Sequence, residues 1–477
     1  VAKVTFRERY CSVFRLPLQS HKFINKKRRI YFMPLTPEDR QLQKTIYKAL
    51  DDKPLQPDDP RYIPIYNSPD CPDPVVRLKK HIEFMDVESV QFFSGFRGSG
   101  KTTELFRLKK ELEEEYYIVL YANALKYINP ADEIDISDLL IVLAGSFSDA
   151  IEELTEADIK VESYWTRLKS YLGNTNLDIT EAGIKTGIDL KVALSTTPTF
   201  RQNLQKTLAN RIGELKNNVN KYIEDGVKAI RSAYNENTQI VFIFDSLEQI
   251  RGSLFNEQAV IQSVERVFSQ HHKLLELPYI HAIYTVPPWL KFVMTNNKPV
   301  VLLHSIKQWN NDAQRTKVDG SCVSLRKLVL ERFSEEGFKK FFGDDPNAEY
   351  TRADKLIDYC GGHFRDLLTL LREAVLPTDE LPISDKNIET AIANVKSSFL
   401  PVSLEDAKWL AKIAESRSDS LPNIKGENVG RLTRYLDTHL VLYFRNGDDW
   451  YDVHPLIRDE VMQIVKNAEA KDKLTQA

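Results

Sequence analysis

Short, almost unbroken apolar runs alternate along the chain with stretches in which apolar residues return every three or four positions. The runs are Ser89–Ser94 (SVQFFS), Tyr116–Tyr121 (YYIVLY), Gln239–Phe244 (QIVFIF), Tyr279–Thr285 (YIHAIYT) and Val300–His304 (VVLLH). Runs this short and this apolar suit strands buried on both faces, as in a parallel sheet covered by helices. The slower rhythm predicts helices over 75–85, with Val75, Val76, Leu78 and Ile82 on one side, from Thr102 to Glu114, and over 138–154. After residue 310 the pattern turns helical to about 398, and no fixed-period repeat interrupts it.

The second and third runs are separated by about 115 residues, far more than one crossover helix needs, so 155–237 is expected to be an insertion. Within it, Leu204, Leu208, Ile212, Leu215, Val219, Ile223, Val227 and Ile230 make one stripe, which predicts a long helical stretch over 202–234 packed on its own domain. Asp189–Leu194 (DLKVAL) reads as a β-ribbon. Residues 51–74 are crowded with Pro and Asp, which interrupts backbone hydrogen bonding and predicts an extended loop. Residues 402–466 read as two helices followed by Leu440–Phe444 and Trp450–Val453. Asn446-Gly447-Asp448 between them is a hairpin signal, so the hairpin is expected to be a wing.

Composition narrows the class. With 477 residues, 42% hydrophobic and 28% charged, the chain has material for two to four domains, and wholesale disorder is excluded. No apolar run is long enough for a membrane span. Cys11, Cys71, Cys322 and Cys360 lie far apart with no C-x-x-C pair, so these four fit neither a disulfide framework nor a zinc site and suit a reducing, cytoplasmic setting. The net charge of −3 conceals a division: residues 1–33 hold nine Lys/Arg against Glu8 alone, leaving the remainder at −11. That basic leader reads as a disordered tail, as sequence preceding a start at Met33, as a nucleic-acid arm, or, through Lys26–Arg29, as a targeting patch or transit peptide.

Gly95-Phe96-Arg97-Gly98-Ser99-Gly100-Lys101-Thr102 fits G-x-x-x-x-G-K-[ST], and it follows a predicted strand and opens a predicted helix. Glycines let successive backbone N–H groups turn toward phosphate oxygens, and the helix N-terminus adds positive potential. Gly95, Arg97, Gly98, Ser99, Gly100, Lys101, Thr102 and Thr103 are therefore the expected nucleotide-binding residues. Lys101 is expected to reach the β- and γ-phosphates and Thr102 to ligate Mg²⁺. Asp245 closes another apolar strand, where a Walker-B Asp holds the same metal. Glu248 is the candidate for orienting the attacking water.

With Gly361-Gly362-His363-Phe364-Arg365-Asp366-Leu367-Leu368 and the winged-helix-like C-terminal segment, these motifs resemble the AAA+ and STAND classes of ATPase over residues 70–465. Asp245 followed after two residues by Glu248 is closer to the STAND branch (NACHT and NB-ARC) than to ordinary AAA+ proteins, which set Asp and Glu side by side. The chain has no Arg between Arg266 and Arg315, so a ring-type arginine finger would have to come from Arg315, Arg326 or Arg332. The resemblance implies an α/β fold: a parallel-sheet P-loop NTPase core with a helical insertion, followed by an α-helical lid and a winged-helix domain. The expected divisions are a leader at 1–33, a Pro-rich segment at 34–88, the core at 89–308, the lid at 309–398 and the winged helix at 399–470.

By the same resemblance, Thr285 takes the sensor-1 place, Arg365 the sensor-2 place facing the nucleotide phosphates, and His454 the place of the NB-ARC histidine that meets the ADP β-phosphate. ATP and ADP with Mg²⁺ are the implied cofactors. The implied function is a slowly hydrolysing regulatory switch ATPase that assembles in a nucleotide-dependent way with partner proteins supplying sensor and effector, in bacterial signalling or antiphage defence. The alternative is a DNA-acting AAA+ ATPase of the initiator or transposition-regulator kind, reading DNA through Glu427–Asp437 with Arg431 and Arg434. Residues 400–477 hold 11 Lys/Arg and 13 Asp/Glu, which is not the basic footprint such a reader needs, so nucleic acid is the second choice. No membrane partner is expected.

Overall fold

The computed structural model describes residues 33–66, 73–154, 159–173, 184–253, 255–294, 298–312, 314–318, 321–417, 428–446 and 448–476. The leader up to residue 32, with its Lys26–Arg29 patch, Cys11, Cys71, part of the Pro-rich segment and Gly447 of the hairpin turn lie outside the described residues.

Five parallel strands make the central sheet: β1 (Ser89–Gly95), β2 (Ile118–Asn123), β3 (Ile240–Asp245), β4 (His281–Val286) and β5 (Val300–Leu303). Their order across the sheet is β2-β3-β4-β1-β5. The register sets Asn123 beside Asp245 and Phe93 beside Thr285, so the C-terminal ends of β1, β2, β3 and β4 open on one edge. Every residue of β3 is buried, which is why its sequence shows no alternation. All five strands were legible as runs, although the second begins at Ile118, because Tyr116 turns the chain with φ +65°.

The helices in chain order are α1 (Pro37–Ala49), α2 (Pro74–Glu83), α3 (Lys101–Glu113), α4 (Ile136–Glu152), α5 (Tyr164–Gly173), α6 (Gly187–Thr196), α7 (Pro198–Leu208), α8 (Ile212–Ala233), α9 (Glu257–Glu265), α10 (Leu290–Val293), α11 (Ser321–Phe333), α12 (Glu335–Phe342), α13 (Arg352–Tyr359), α14 (Phe364–Val375), α15 (Asp385–Ser397), α16 (Leu404–Ser416), α17 (Asn428–Asp437) and α18 (Pro455–Gln476). Helix α4 is buried almost all round and starts at a capping box between Asp135 and Asp138. Its Gly145 admits the Trp165 ring of α5, which a Cβ would meet at 2.1 Å.

One expectation between the second and third strands is corrected. Asp189–Leu194 is helical, as part of α6: Thr186 and Asp189 form a capping box, and Leu190, Ala193 and Leu194 are its buried side. The stripe over 202–234 belongs to two helices, α7 and α8, which break at Ala209 to Arg211.

Beyond the sheet, α11 to α15 form a helical layer. After them α16 and α17 precede an antiparallel hairpin, β6 (Val441–Asn446) and β7 (Asp448–Val453), and α18 returns across α16. The hairpin is docked on the core. Ser305 N–H donates to Tyr443 O at 3.0 Å, and Lys291 of α10 lies over the Tyr443 ring while pairing with Asp449. Among the described residues no helix is long and apolar enough to cross a membrane.

Candidate functional site

The loop between β1 and α3 is shaped by three glycines with left-handed or extended-positive backbone: Gly95 (φ +158°), Gly98 (φ +88°) and Gly100 (φ +94°). Gly98 and Gly100 lie where an L side chain would be strained, and a Cβ on Gly98 would meet Arg365 Cβ at 2.6 Å. Gly100 is the N-cap of α3 and supplies no capping side chain, so the first N–H groups of the helix are left for another acceptor.

Lys101 leads that helix and turns back under the loop, where its Nζ donates to Gly95 O and Phe96 O, both at 2.9 Å. The same ammonium pairs with Glu248 Oε1 at 3.2 Å, and the two side chains are only 3% and 8% exposed. Among the described residues Glu248 Oε2 is buried with no hydrogen-bond partner. Thr102 Oγ1 donates to Asp245 Oδ2 at 2.8 Å, and Tyr121 O–H donates to the same oxygen at 2.8 Å. Burial, followed by the charge of Glu248, pushes the Asp245 carboxyl up to about 6, against the opposing pull of those two donors and Lys101.

The chain bends sharply after Asp245. Ser246 has φ +74°, its N–H reaches Asp245 Oδ1 at 2.7 Å, and Leu247 N–H donates to Thr285 Oγ1 at 3.0 Å. Thr285 is fully buried and braces this bend from behind, a positioning task rather than a place on the cavity wall.

A cavity of about 260 Å³ lies over the loop. Arg97, Gly98, Ser99, Gly100, Lys101, Thr102, Thr103, Glu248 and Arg365 all face it. Burial and then the neighbouring Arg251 and Arg365 lower the Arg97 guanidinium. Arg365 sits at the start of α14, with its backbone N–H on Gly98 O at 3.2 Å and its Nε 2.7 Å from Asp52 Oδ2.

One whole wall was missed by sequence reasoning. Residues 52–55 and 61–66, taken for a plain extended loop, line the cavity with Pro54, Leu55, Tyr62, Ile63 and Ile65. Leu55 N–H donates to Thr103 Oγ1 at 3.0 Å, and Tyr66 O–H donates to Ser99 O. The apolar cluster Tyr62, Ile63, Ile65 and Tyr66 was the available signal, hidden by Pro60 and Pro64.

His454 does not face the cavity. It is fully buried, stacks on Phe399, and sets Nε2 3.2 Å from Asp366 Oδ2. The arginine-finger candidates are all engaged within the chain: Arg315 with Asp452, Arg326 with Asp354, and Arg332 with the carbonyls of Arg61 and Leu328. Arg431 and Arg434 pair with Glu405 and Asp406 of the neighbouring helix.

Strand, glycine loop and helix, with a buried lysine returning under the loop and an acid-bearing strand beside it, define an α/β P-loop fold. No protein-family model and no curated protein matches the sequence. Among solved structures the chain is similar to the Walker-type ATPase PABY2304 of Pyrococcus abyssi, at 12% identity and TM-score 0.39 over 87% of this chain and 99% of that one. It is also similar to the ORC2 protein of Aeropyrum pernix in ADPNP–ADP complexes, at 11% identity and TM-score 0.35 over 89% and 98% of the two chains. Cdc6p of Pyrobaculum aerophilum is similar at 11% identity and TM-score 0.31, over 86% and 98%. All three likenesses are remote.

Proposed function

We propose that the chain is a nucleotide-dependent switch: it binds a nucleoside triphosphate over the Gly95–Thr102 loop and couples its occupancy to the position of the helical lid and C-terminal module. The observation that carries this reading is that the lid is bonded to the backbone of the phosphate loop. Arg365 N–H donates to Gly98 O at 3.2 Å, and His363 Nε2 lies 3.0 Å from Arg97 O. A phosphate drawing the loop's N–H groups inward would pull on the same peptide units that hold the lid.

The loop residues suit a polyphosphate. Uncapped N–H groups at the start of α3, Lys101 and the cavity-facing Arg97 and Arg365 supply donors and positive charge. Pro54, Ile63, Ile65, Leu328 and Phe364 offer an apolar surface for the base. The Thr102 hydroxyl and Asp245 carboxylate, adjacent at 2.8 Å, form an all-oxygen pair suited to Mg²⁺, which would supply charge neutralisation at the phosphates. Glu248, with one carboxylate oxygen unpartnered, is the side chain we assign to holding a water.

The finer reading is a STAND-like regulator in which separate proteins supply sensing and output. The internal engagement of Arg315, Arg326 and Arg332 supports it, since none of them is offered to a neighbouring subunit. The reading is tested by scattering or sizing of the full chain with ADP and with a non-hydrolysable ATP analogue. A change in shape or mass between the two is expected, and identical profiles with both nucleotides demonstrably bound would overturn it.

A further inference from the structure

Four side chains meet in a buried space beside Phe96 of the phosphate loop, contributed by the lid and the C-terminal module. His363 occupies the N-cap position of α14 without a side-chain capping bond, and Asp366 lies one turn in. His439 follows α17 with φ +61°, a left-handed backbone uncommon for a side chain of this size. His454 follows β7. The nitrogen–oxygen distances to Asp366 Oδ2 are 2.8 Å from His363 Nδ1, 3.3 Å from His439 Nδ1 and 3.2 Å from His454 Nε2.

Hydrogen accounting separates their roles. The Arg97 carbonyl 3.0 Å from His363 Nε2 can only accept, so Nε2 carries the hydrogen. With Nε2 so committed, the Nδ1 edge of His363 is the one left to face the Asp366 carboxylate, at 2.8 Å. Both atoms are buried, and among the described residues neither has an aligned hydrogen bond. A ring nitrogen and a carboxylate oxygen set this close in a buried space are joined by a cation, either a proton or a metal ion. His454 differs: its Nδ1 accepts from Leu456 N–H at 3.2 Å, so its Nε2 bears hydrogen and is unavailable as a lone pair.

We propose that His363, Asp366 and His439 form a binding site for a divalent first-row transition ion, Zn²⁺ by its donor set, which ties the lid to the C-terminal module beside the phosphate loop. The ligand atoms of these three residues lie within 4.8 Å of one another. Bonds of about 2.0 Å in a tetrahedral zinc site separate neighbouring ligand atoms by about 3.3 Å, against 2.8 and 3.3 Å from His363 and His439 to Asp366. Imidazole and carboxylate donors distinguish this site from the all-oxygen pair Thr102 and Asp245. His454 takes the part of the outer group that steadies the ligating carboxylate.

The test uses the full chain carrying no histidine tag. Elemental analysis of protein purified without chelators, then of chelator-stripped protein returned to Zn²⁺ alone and dialysed, should read about one zinc per chain, retained in excess Mg²⁺. His439→Ala and Asp366→Asn should bind Zn²⁺ at least tenfold more weakly, and His454→Gln about tenfold more weakly. Should those variants fail to fold, adding Co²⁺ to the stripped wild-type chain provides the reading, and visible bands of nitrogen- and oxygen-bound cobalt are expected. No stoichiometric uptake, no cobalt bands, or equal uptake by folded His439→Ala and Asp366→Asn would overturn the site, leaving a proton as the cation between His363 and Asp366.

Discussion

Lys101 Nζ lies 3.2 Å from Glu248 Oε1, joining the phosphate loop to the turn that follows the acid-bearing strand. Both groups are buried, so the pair persists only while each satisfies the other. A triphosphate entering the cavity would compete for the ammonium and release the carboxylate. Lys101→Ala is expected to abolish binding of a fluorescent ATP analogue. Glu248→Gln should keep that binding and lower ATP turnover by about 10²-fold or more, the usual scale for losing a positioned acid–base group. Unchanged turnover in Glu248→Gln would remove Glu248 from the chemistry.

Tyr121 and Thr102 both donate to Asp245 Oδ2. Tyr121→Phe leaves this buried carboxylate one donor short. The expected cost is about 1–3 kcal/mol, read as a lower midpoint in urea denaturation. Adding Mg²⁺ with nucleotide should restore part of the loss, because a cation held by Thr102 and Asp245 would offset the missing donor.

Gly98 has no room for a side chain, both because of its φ of +88° and because Arg365 Cβ occupies the space. Gly98→Ala is expected to displace α14 from the loop and weaken nucleotide binding at least tenfold, with the unfolding transition kept. Asp52→Ala, which removes the half-exposed partner of Arg365, should change stability by less than about 1 kcal/mol. A comparable loss of nucleotide binding in both variants would mean that the ion pair, not the close backbone approach, holds the lid.

Burial pushes the Asp138 carboxyl in α4 up to about 6, with the Gln205 amide and the Asp135 N–H opposing. The folded chain therefore holds this proton more tightly than the unfolded chain, whose carboxyl sits near 3.8. Stability from this group is present below about pH 4 and is lost as pH rises through 6. Asp138→Asn removes the charge but keeps an oxygen for the Asp135 N–H. Relative to the parent, the variant should gain about 2–3 kcal/mol between pH 4 and pH 8, measured by thermal denaturation at both. A constant offset would show that Asp138 does not titrate in this range.

Arg431 and Arg434 are held by Glu405 and Asp406, and the hairpin is seated on the core through Tyr443 and Lys291. A guanidinium already paired within the module must give up its carboxylate partner before it can neutralise a phosphate and release the counterions condensed on the duplex. Replacing both arginines by Ala is therefore expected to leave duplex DNA binding at low salt unchanged, as judged by fluorescence anisotropy. A steep loss would favour the DNA-acting reading.

How much of this was legible depended on the reach of each interaction. The phosphate loop could be read directly, because glycine spacing, the lysine and the following helix are set by neighbours in sequence. The same holds for the five strands, whose burial on both faces leaves unbroken apolar runs. Six residues such as Asp189–Leu194 satisfy a period of two and a helical face equally well; the capping pair of Thr186, three residues before the run, and Asp189, its first residue, decides for helix. The break between α7 and α8 was hidden because a shared apolar stripe continues through both.

The sequence by itself determined the sheet, the glycine loop and the acid at the end of β3, since these follow from local periodicity and short spacing. Only the tertiary structure decided which distant groups share a space. It brought the Pro-rich residues 52–66 over the loop, bonded the lid to Gly98, and set His454 against Asp366 instead of over the phosphate loop. Those partners lie tens to hundreds of residues apart, and chain periodicity carries no information about contacts made only when separate elements pack.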